Sequence, residues 1–219
     1  MKKLNYGARP AASGVTRSLV VFLHGYGADG ADLLGLSEAL APGLPDTKFL
    51  APDAPERLPG AASGRQWFSV PRFDGSTEAQ AALGLAAASE ALNDFLDQQL
   101  TAEGLGPEAL ALFGFSQGAM MSLHVAPRRE KTMAGVVAIS GRLIRPESLA
   151  AEAKVKPPVL IVHGDQDPVV PFAEMSRAGN ALIAAGFATF GHVMKNVGHG
   201  IAPDGLSMAL SFLKDRLPG

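Results

Sequence analysis

The chain contains no cysteine, so it has no disulfide framework, no thiolate nucleophile and no cysteine-based metal site. Charged residues make up only 18% of it, the net charge is −2, and no long run carries one sign. This pattern argues against nucleic acid or an anionic membrane as the main partner. No apolar stretch is long enough to span a bilayer, and no apolar signal core follows the amino terminus. We therefore expect a cytoplasmic protein without stable membrane insertion.

Hydrophobic residues are plentiful, at 47% of 219 residues, which is enough for one core and predicts a single domain over residues 1–219. Short apolar runs alternate with helical stretches, and continuously apolar strands are typical of a parallel sheet covered on both faces. The fold class is therefore α/β. The predicted strands are Ser18–Leu23, Thr47–Leu50, Ala109–Phe113, Ala134–Ile139, Pro158–Val162 and Thr189–Met194. The predicted helices are Ala31–Leu40, Thr77–Leu100, Gln117–Val125, Phe172–Ala185 and Leu206–Leu217, and a proline-rich turn is predicted at 51–55.

A Gly-x-Ser-x-Gly pentapeptide, residues 114–118, lies between a predicted strand and a predicted helix. This strand–turn–helix is the nucleophile elbow of α/β-hydrolases, in which a sharp turn exposes the serine hydroxyl. A serine at a helix start also serves as an ordinary cap. The downstream acid and base favour Ser116 as a nucleophile.

The acid and the base follow later strands, in the chain order Ser, Asp, His that this fold requires. His199 lies on a glycine-flanked loop after the last predicted strand, where an imidazole can take the serine proton. The other four histidines are expected to have structural roles. Asp167 is the predicted orienting acid because Pro168 makes its turn rigid, and Asp165 is the alternative that the residues alone leave open.

An oxyanion needs preorganised backbone donors. The elbow geometry assigns one of them to the N–H of Gln117 and the other to the loop after Ser18–Leu23, near Tyr26. Because these donors are main-chain, we expect both side chains to be free to vary, with Tyr26 available as a pocket wall. Trp67 and Phe68 lie in a loop rich in proline and glycine and are candidates for the wall of an apolar acyl pocket. Filling of the core is the equally weighted alternative for Trp67.

One alternative function belongs to another class. Residues 25–30 read Gly-x-Gly-x-x-Gly after a strand and before a helix, which is the fingerprint of a dinucleotide-binding oxidoreductase. Asp29 would place a negative charge against the pyrophosphate, and that function leaves the serine, aspartate and histidine loops unexplained. A hydrolase-like binding module, or a hydrolase of lactones or peptides, also fits the fold.

Taken together, these motifs resemble the carboxylesterase/acyl-protein thioesterase (phospholipase/carboxylesterase) family of small α/β-hydrolases. The stretches that carry the resemblance are Leu23–Gly30, Ala51–Pro55, Gln66–Phe68, Gly114–Met120, His163–Pro171 and Gly198-His199. The resemblance implies Ser116, Asp167 and His199 as the triad, with the acid on the aspartate before the proline. It implies backbone oxyanion donors at Tyr26 and Gln117, and hydrolysis of carboxyl esters or thioesters without a cofactor.

The chain departs from the thioesterase branch at two places on the acyl side. Tyr26 stands where that branch usually has leucine, and Ala28-Asp29-Gly30 stands where it usually has Asp-Thr-Gly. Residues 140–157 are too few for a large lid domain, which predicts an open pocket. We therefore expect a small-molecule ester of short to medium chain as substrate, no metal and no cofactor, with a homodimer as an open option for assembly.

Overall fold

The computed structural model describes residues 3–58 and 64–218, and it contains a seven-stranded sheet in the order β1-β3-β2-β6-β7-β8-β9. Six strands run parallel, and β1 pairs antiparallel with β3 at one edge. The strands are β1 Tyr6–Arg9, β2 Ser18–Leu23, β3 Thr47–Pro52, β4 Glu56–Arg57, β5 Arg65–Gln66, β6 Leu110–Phe115, β7 Gly135–Ile139, β8 Val159–Gly164 and β9 Thr189–Met194. The α-helices are α1 Gly30–Leu34, α2 Ser37–Leu40, α3 Pro71–Asp74, α4 Glu78–Glu103, α5 Gln117–Val125, α6 Leu149–Glu152, α7 Ala173–Ala184 and α8 Pro203–Lys214.

The sheet is covered on both faces, and the alternation of side chains along β2 shows how. Leu19, Val21 and Leu23 point into a core shared with α4, α5 and α7, whereas Val20 and Phe22 point into a second core under α1, α2 and α8. The strand is buried with apolar residues on both faces, as its continuously apolar sequence predicts. The predicted α/β-hydrolase fold class is confirmed, and the segment between β7 and β8 holds only short helical turns rather than a lid domain. A single domain over residues 1–219 stays a prediction.

The structure corrects the sequence-based element map in several places. The predicted helix Ala31–Leu40 is two short helices, because the chain turns at Gly35 and Leu36 between them. The strand predicted to end at Leu50 continues to Pro52, since β1 supplies an antiparallel partner for that extension. The edge strand β1 and the small β4–β5 hairpin were not predicted. Residues 59–63 of the predicted loop at 55–75 lie outside the described part of the chain.

The carboxyl ends of the parallel strands place four loops along one edge of the sheet. These loops follow β2, β6, β8 and β9, and they carry His24, Ser116, Asp167 and His199 respectively. Ligands of open parallel sheets bind at this edge. The topology therefore brings residues that are remote in sequence to a common place.

No helix in the described residues is long and apolar enough to cross a membrane.

Candidate active site

Ser116 lies at a sharp turn between β6 and α5, with φ 54° and ψ −116°, a conformation that is costly for a residue with a side chain. Two glycines make the turn possible. A Cβ at Gly118 would collide with the carbonyl oxygen of Leu23, and one at Gly114 would collide with the backbone of Gly118. The close approach of three backbone segments explains both glycines of the pentapeptide. Ser116 is therefore the last residue before α5, in the geometry of a nucleophile elbow.

Ser116, His199 and Asp167 form a continuous hydrogen-bonded chain. The Nε2 atom of His199 lies 3.0 Å from Oγ of Ser116, and its Nδ1 lies 2.8 Å from Oδ2 of Asp167. A carboxylate can only accept, so Nδ1 carries the proton and the neutral ring presents Nε2 as an acceptor for the serine hydroxyl. This arrangement can move a proton away from the serine and return it later.

The carboxylate of Asp167 is buried, and both of its oxygens accept hydrogen bonds. Its Oδ1 accepts the backbone N–H groups of Val169 at 2.8 Å and Val170 at 2.9 Å, and its Oδ2 faces His199. Burial on its own would raise the pKa of Asp167, but the hydrogen bonds from His199, Val170 and Val169 outweigh it and lower that pKa. The group is therefore held as an anion with one oxygen aimed at the imidazole.

Asp165, the alternative acid, holds a different part of the site. Its Oδ1 accepts the backbone N–H of Asn196 at 2.7 Å, and its Oδ2 lies 3.5 Å from Nζ of Lys195. Asn196 has a positive φ of 58°. Asp165 thus braces the start of the loop that carries His199 and does not contact the imidazole.

Two backbone N–H groups near Ser116 are free to bind a ligand. Within the described residues, neither the amide of Tyr26 nor that of Gln117 donates to a protein acceptor. The amide of Gln117 is also the first of α5, at the positive end of a short helix. Both groups have the character that an oxyanion site requires.

His24 fixes the peptide that carries one of these donors. Its Nε2 accepts the backbone N–H of Ala54 at 2.9 Å, so the proton is on Nδ1, which donates to the carbonyl of Gly25 at 2.8 Å. That carbonyl belongs to the same peptide unit as the N–H of Tyr26. Burial lowers the pKa of His24, although the bond to Gly25 and the nearby Asp53 oppose the shift. A neutral imidazole therefore orients the peptide between Gly25 and Tyr26.

A pocket of about 260 Å³ opens beside the serine. It is lined by His24, Gly25, Tyr26, Ala28, Asp32, Leu33, Phe115, Ser116 and His199. Tyr26 is the one residue of the predicted substrate wall that lines it. Asp32 was not predicted, because the spacing of its capping box with Asp29 indicates a helix start rather than a pocket. Phe115, whose ring centroid lies 4.9 Å from that of His199, was not predicted either.

Trp67 and Phe68 do not line this pocket. Trp67 is fully buried and Phe68 is 6% exposed, both in the core beside α4. The indole N–H of Trp67 donates to the carbonyl of His24 at 3.0 Å. This geometry favours the core-filling alternative for Trp67.

The side chain of Gln117 has a specific role that the sequence did not reveal. Its Oε1 accepts the backbone N–H of Trp67 at 2.8 Å, and its Nε2 donates to the carbonyl of Phe68 at 2.7 Å. The expectation that this side chain is free to vary is wrong, because the amide clamps a segment about fifty positions away in sequence. No local pattern could have identified the pairing.

The helix that follows the Gly-x-Gly-x-x-Gly pattern has no vacant anion site. The N–H of Gly30 donates to Asp53 at 3.1 Å, and the N–H of Ala31 donates to Asp29 at 3.0 Å. Two carboxylates therefore occupy the donors that a pyrophosphate would need. Gly30 is required for another reason, since a Cβ there would collide with the carbonyl oxygen of Ala51. The dinucleotide-binding alternative is wrong for this geometry.

His124 and His192 also lie outside the pocket. His124 is buried in α5, and burial together with Arg128 and Arg145 lowers its pKa to about 4 against the opposing effect of Glu152. His192 on β9 pairs with Asp204 at 2.8 Å. In residues 3–58 and 64–218, no group of three or more metal-ligating side chains is close enough to hold an ion.

Comparisons with known proteins agree on one family. The family model for phospholipases and carboxylesterases matches residues 11–217. The chain is 30% identical to esterase YpfH of Escherichia coli over 92% of its length and 84% of that protein, and 30% identical to acyl-protein thioesterase 1 of Saccharomyces cerevisiae over 92% and 93%. The crystal structure of esterase PE8 superposes with a TM-score of 0.92 at 41% identity, covering 98% of this chain and 100% of that one. The chain belongs to the phospholipase/carboxylesterase family of α/β-hydrolases and is an esterase-type hydrolase.

Proposed function

We propose that this protein hydrolyses carboxylic esters of short to medium acyl chain through a covalent acyl-enzyme on Ser116. The observation that supports this most directly is the unbroken relay from Ser116 through His199 to Asp167, at 3.0 and 2.8 Å. The relay stands beside a pocket and two unbonded backbone donors, so nucleophile, base and oxyanion site are within reach of one carbonyl group.

In the proposed reaction, the Oγ atom of Ser116 attacks the ester carbonyl while Nε2 of His199 takes its proton. The carbonyl oxygen becomes an oxyanion held by the N–H groups of Tyr26 and Gln117. The tetrahedral intermediate collapses, the bond to the alcohol breaks, and His199 protonates that leaving oxygen. Water, deprotonated by His199, then attacks the acyl-enzyme and releases the acid, which restores Ser116.

The size of the pocket supports short or medium chains. About 260 Å³ lies below the range of about 300–1,000 Å³ that is common for sites enclosing drug-sized ligands. A long acyl chain would extend beyond it onto the surface and gain less from burial.

Acyl-protein thioesterase activity is the second candidate. Several relatives, including that of Saccharomyces cerevisiae, bear the name acyl-protein thioesterase 1. The same serine, base and oxyanion donors would cleave a thioester, with a thiol as leaving group. The replacement of the branch's usual leucine by Tyr26 favours the simple ester.

A substrate panel with a nucleophile variant tests the proposal. We expect p-nitrophenyl butyrate to be cleaved with higher kcat/KM than the palmitate, and faster than a butyryl thioester. Ser116→Ala should lower turnover by about 10³–10⁶-fold while leaving the melting temperature nearly unchanged. A fluorophosphonate should label Ser116 in the native protein. Preference for palmitate would contradict the chain-length proposal, and full activity of Ser116→Ala would contradict the mechanism.

A small-molecule ester remains the proposed partner. Cytoplasmic location and assembly as a homodimer stay predictions.

A further inference from the structure

His163 lies outside the proposed relay but contacts its acid. It is the last residue but one of β8, and its side chain is fully buried. Its Nε2 lies 3.0 Å from the carbonyl oxygen of Val170 and 3.4 Å from Oδ2 of Asp167, whose side chain is also fully buried. Asp167 therefore faces two imidazoles, with His199 on one side and His163 on the other.

The proton on His163 can be assigned from these neighbours. The carbonyl of Val170 can only accept, so Nε2 must carry the hydrogen. The Nδ1 atom is buried and has no hydrogen-bond partner within the described residues. Burial of an unpaired nitrogen costs free energy, so simple packing gives no reason for an imidazole here. An aliphatic side chain would fill the same space without that cost.

The contacts of His163 close a ring around the acid. Val170 donates its N–H to Oδ1 of Asp167 and accepts from His163 through its carbonyl. The Nε2 atom of His163 also lies 3.4 Å from Oδ2, the oxygen that accepts from His199, although its hydrogen bond goes to Val170. The imidazole thus spans the two ends of the turn and lies against the oxygen on which the relay depends.

We propose that His163 is a positioning residue, which holds the turn of Asp167 so that Oδ2 stays aimed at Nδ1 of His199. The inference rests on the proposed function, because it assigns His163 a role only if Asp167 orients a catalytic His199. Without the donor at Nε2, the carboxylate can turn away from His199, and the imidazolium that forms during attack loses its partner.

A purely structural role makes different predictions. His163 also packs edge-on against Phe172, with ring centroids 6.1 Å apart. If packing were its only function, an aliphatic replacement would change stability and leave the pH dependence of the reaction unaltered. The other charged groups around the turn are Asp165 with its partner Lys195, and Arg72, which donates to the carbonyl of Val169. They are the same in every variant, so their effects cancel.

The test compares His163→Leu, which lacks a donor, with His163→Gln, whose Nε2–H can take the place of the imidazole N–H toward the carbonyl of Val170. Both are assayed with p-nitrophenyl butyrate from pH 4.5 to 9, and their thermal stability is measured alongside. His163→Asn, whose shorter amide cannot reach Val170, replaces the leucine variant if that one does not fold. His124→Leu removes another buried histidine, outside the site, and serves as the matched control.

We expect His163→Leu or His163→Asn to lower kcat by about ten- to a hundredfold, by analogy with the loss of an outer partner that orients a metal-binding side chain. The acidic limb of kcat/KM should move to lower pH, because a carboxylate that has turned away no longer favours the protonated imidazole. His163→Gln should restore most of kcat and return the limb toward its original position. His124→Leu should leave both unchanged.

An unchanged limb, or a limb that moves to higher pH, would overturn the inference, as would equal loss of kcat in the glutamine and leucine variants. Ser116→Ala measured in parallel separates the two proposals. If that variant keeps full activity, the proposed function fails. If it is inactive while His163→Leu behaves as wild type, only the role of His163 fails.

Discussion

Asp165 and Asp167 lie two positions apart on one turn, yet their carboxylates hold different partners. Asp167 accepts from the imidazole of His199 at 2.8 Å, whereas Asp165 accepts from the backbone of Asn196 at 2.7 Å. The two residues therefore form a matched pair for testing which carboxylate serves the base.

Asp167→Asn should lower kcat by about 10³–10⁴-fold, because an amide cannot hold the proton on Nδ1 and stabilise an imidazolium as a carboxylate does. Asp165→Asn should change kcat less than about threefold, since its amide oxygen still accepts from Asn196 and the pair with exposed Lys195 is worth little. Steady-state kinetics with one ester measures both. Equal losses in the two variants would contradict the assignment of the acid.

The clamp formed by Gln117 predicts a loss of stability. Gln117→Ala would leave the N–H of Trp67 and the carbonyl of Phe68 unpaired in the interior, which costs about 2–4 kcal/mol of unfolding free energy. Urea denaturation measures the loss. Ser89→Ala is a suitable control, because it removes a hydroxyl that bonds only within its own helix.

The backbone N–H of residue 117 remains in the alanine variant, so hydrolysis should fall far less than in a triad variant. A Gln117→Ala protein as stable as wild type would show that the clamp adds nothing. A loss of kcat as large as that of Ser116→Ala would contradict an oxyanion role confined to the backbone.

The convergence of the site on one edge could be predicted from the sequence because parallel strands end together. Apolar runs predicted where the strands lie. The residues that follow these runs therefore lie near the same edge of the sheet, at the carboxyl ends of the strands. The two glycines around Ser116 likewise predicted a close backbone approach from the sequence pattern alone. These features depend on local pattern and on topology alone.

Other features depend on contacts between remote residues, which local pattern does not encode. The four-residue β1, Tyr-Gly-Ala-Arg, is half exposed and has a weak strand sequence, and its partner β3 determines it. Trp67 suits a core and a pocket wall equally until its indole is seen to bond to the carbonyl of His24. The pairing of Asp165 with the loop after β9 likewise needed the three-dimensional arrangement.

Gly118 and Gly35 offer a test of backbone crowding at the elbow. Gly118→Ala should destabilise the fold by more than about 3 kcal/mol, beyond the usual cost of overpacking, because the carbonyl of Leu23 blocks the new methyl group. Gly35 has φ −56° and no neighbouring atom within 4 Å of a Cβ, so Gly35→Ala should be neutral or stabilise by up to about 1 kcal/mol. Thermal melts measure both. Comparable melting temperatures for the two variants would contradict the close approach at the elbow.

The buried histidine of α5 predicts how stability depends on pH. The pKa of His124 falls from 6.5 to about 4, first through burial and then through Arg128 and Arg145. Between these values the unfolded chain binds a proton that the folded protein does not, so the free energy of unfolding decreases as the pH falls from 6.5 toward 4. We expect this group alone to account for about 2 kcal/mol of the decrease, after allowance for partial solvent screening.

His124→Leu should remove that part of the acid sensitivity. Urea denaturation at pH 7.5 and pH 4.5 gives the loss for each protein, and the wild type should lose about 2 kcal/mol more than the variant. His24, whose pKa is also lowered by burial, contributes to both proteins alike and cancels in the difference. Equal acid sensitivity of the two proteins would mean that His124 is already protonated in the fold, with its charge accommodated beside Glu152.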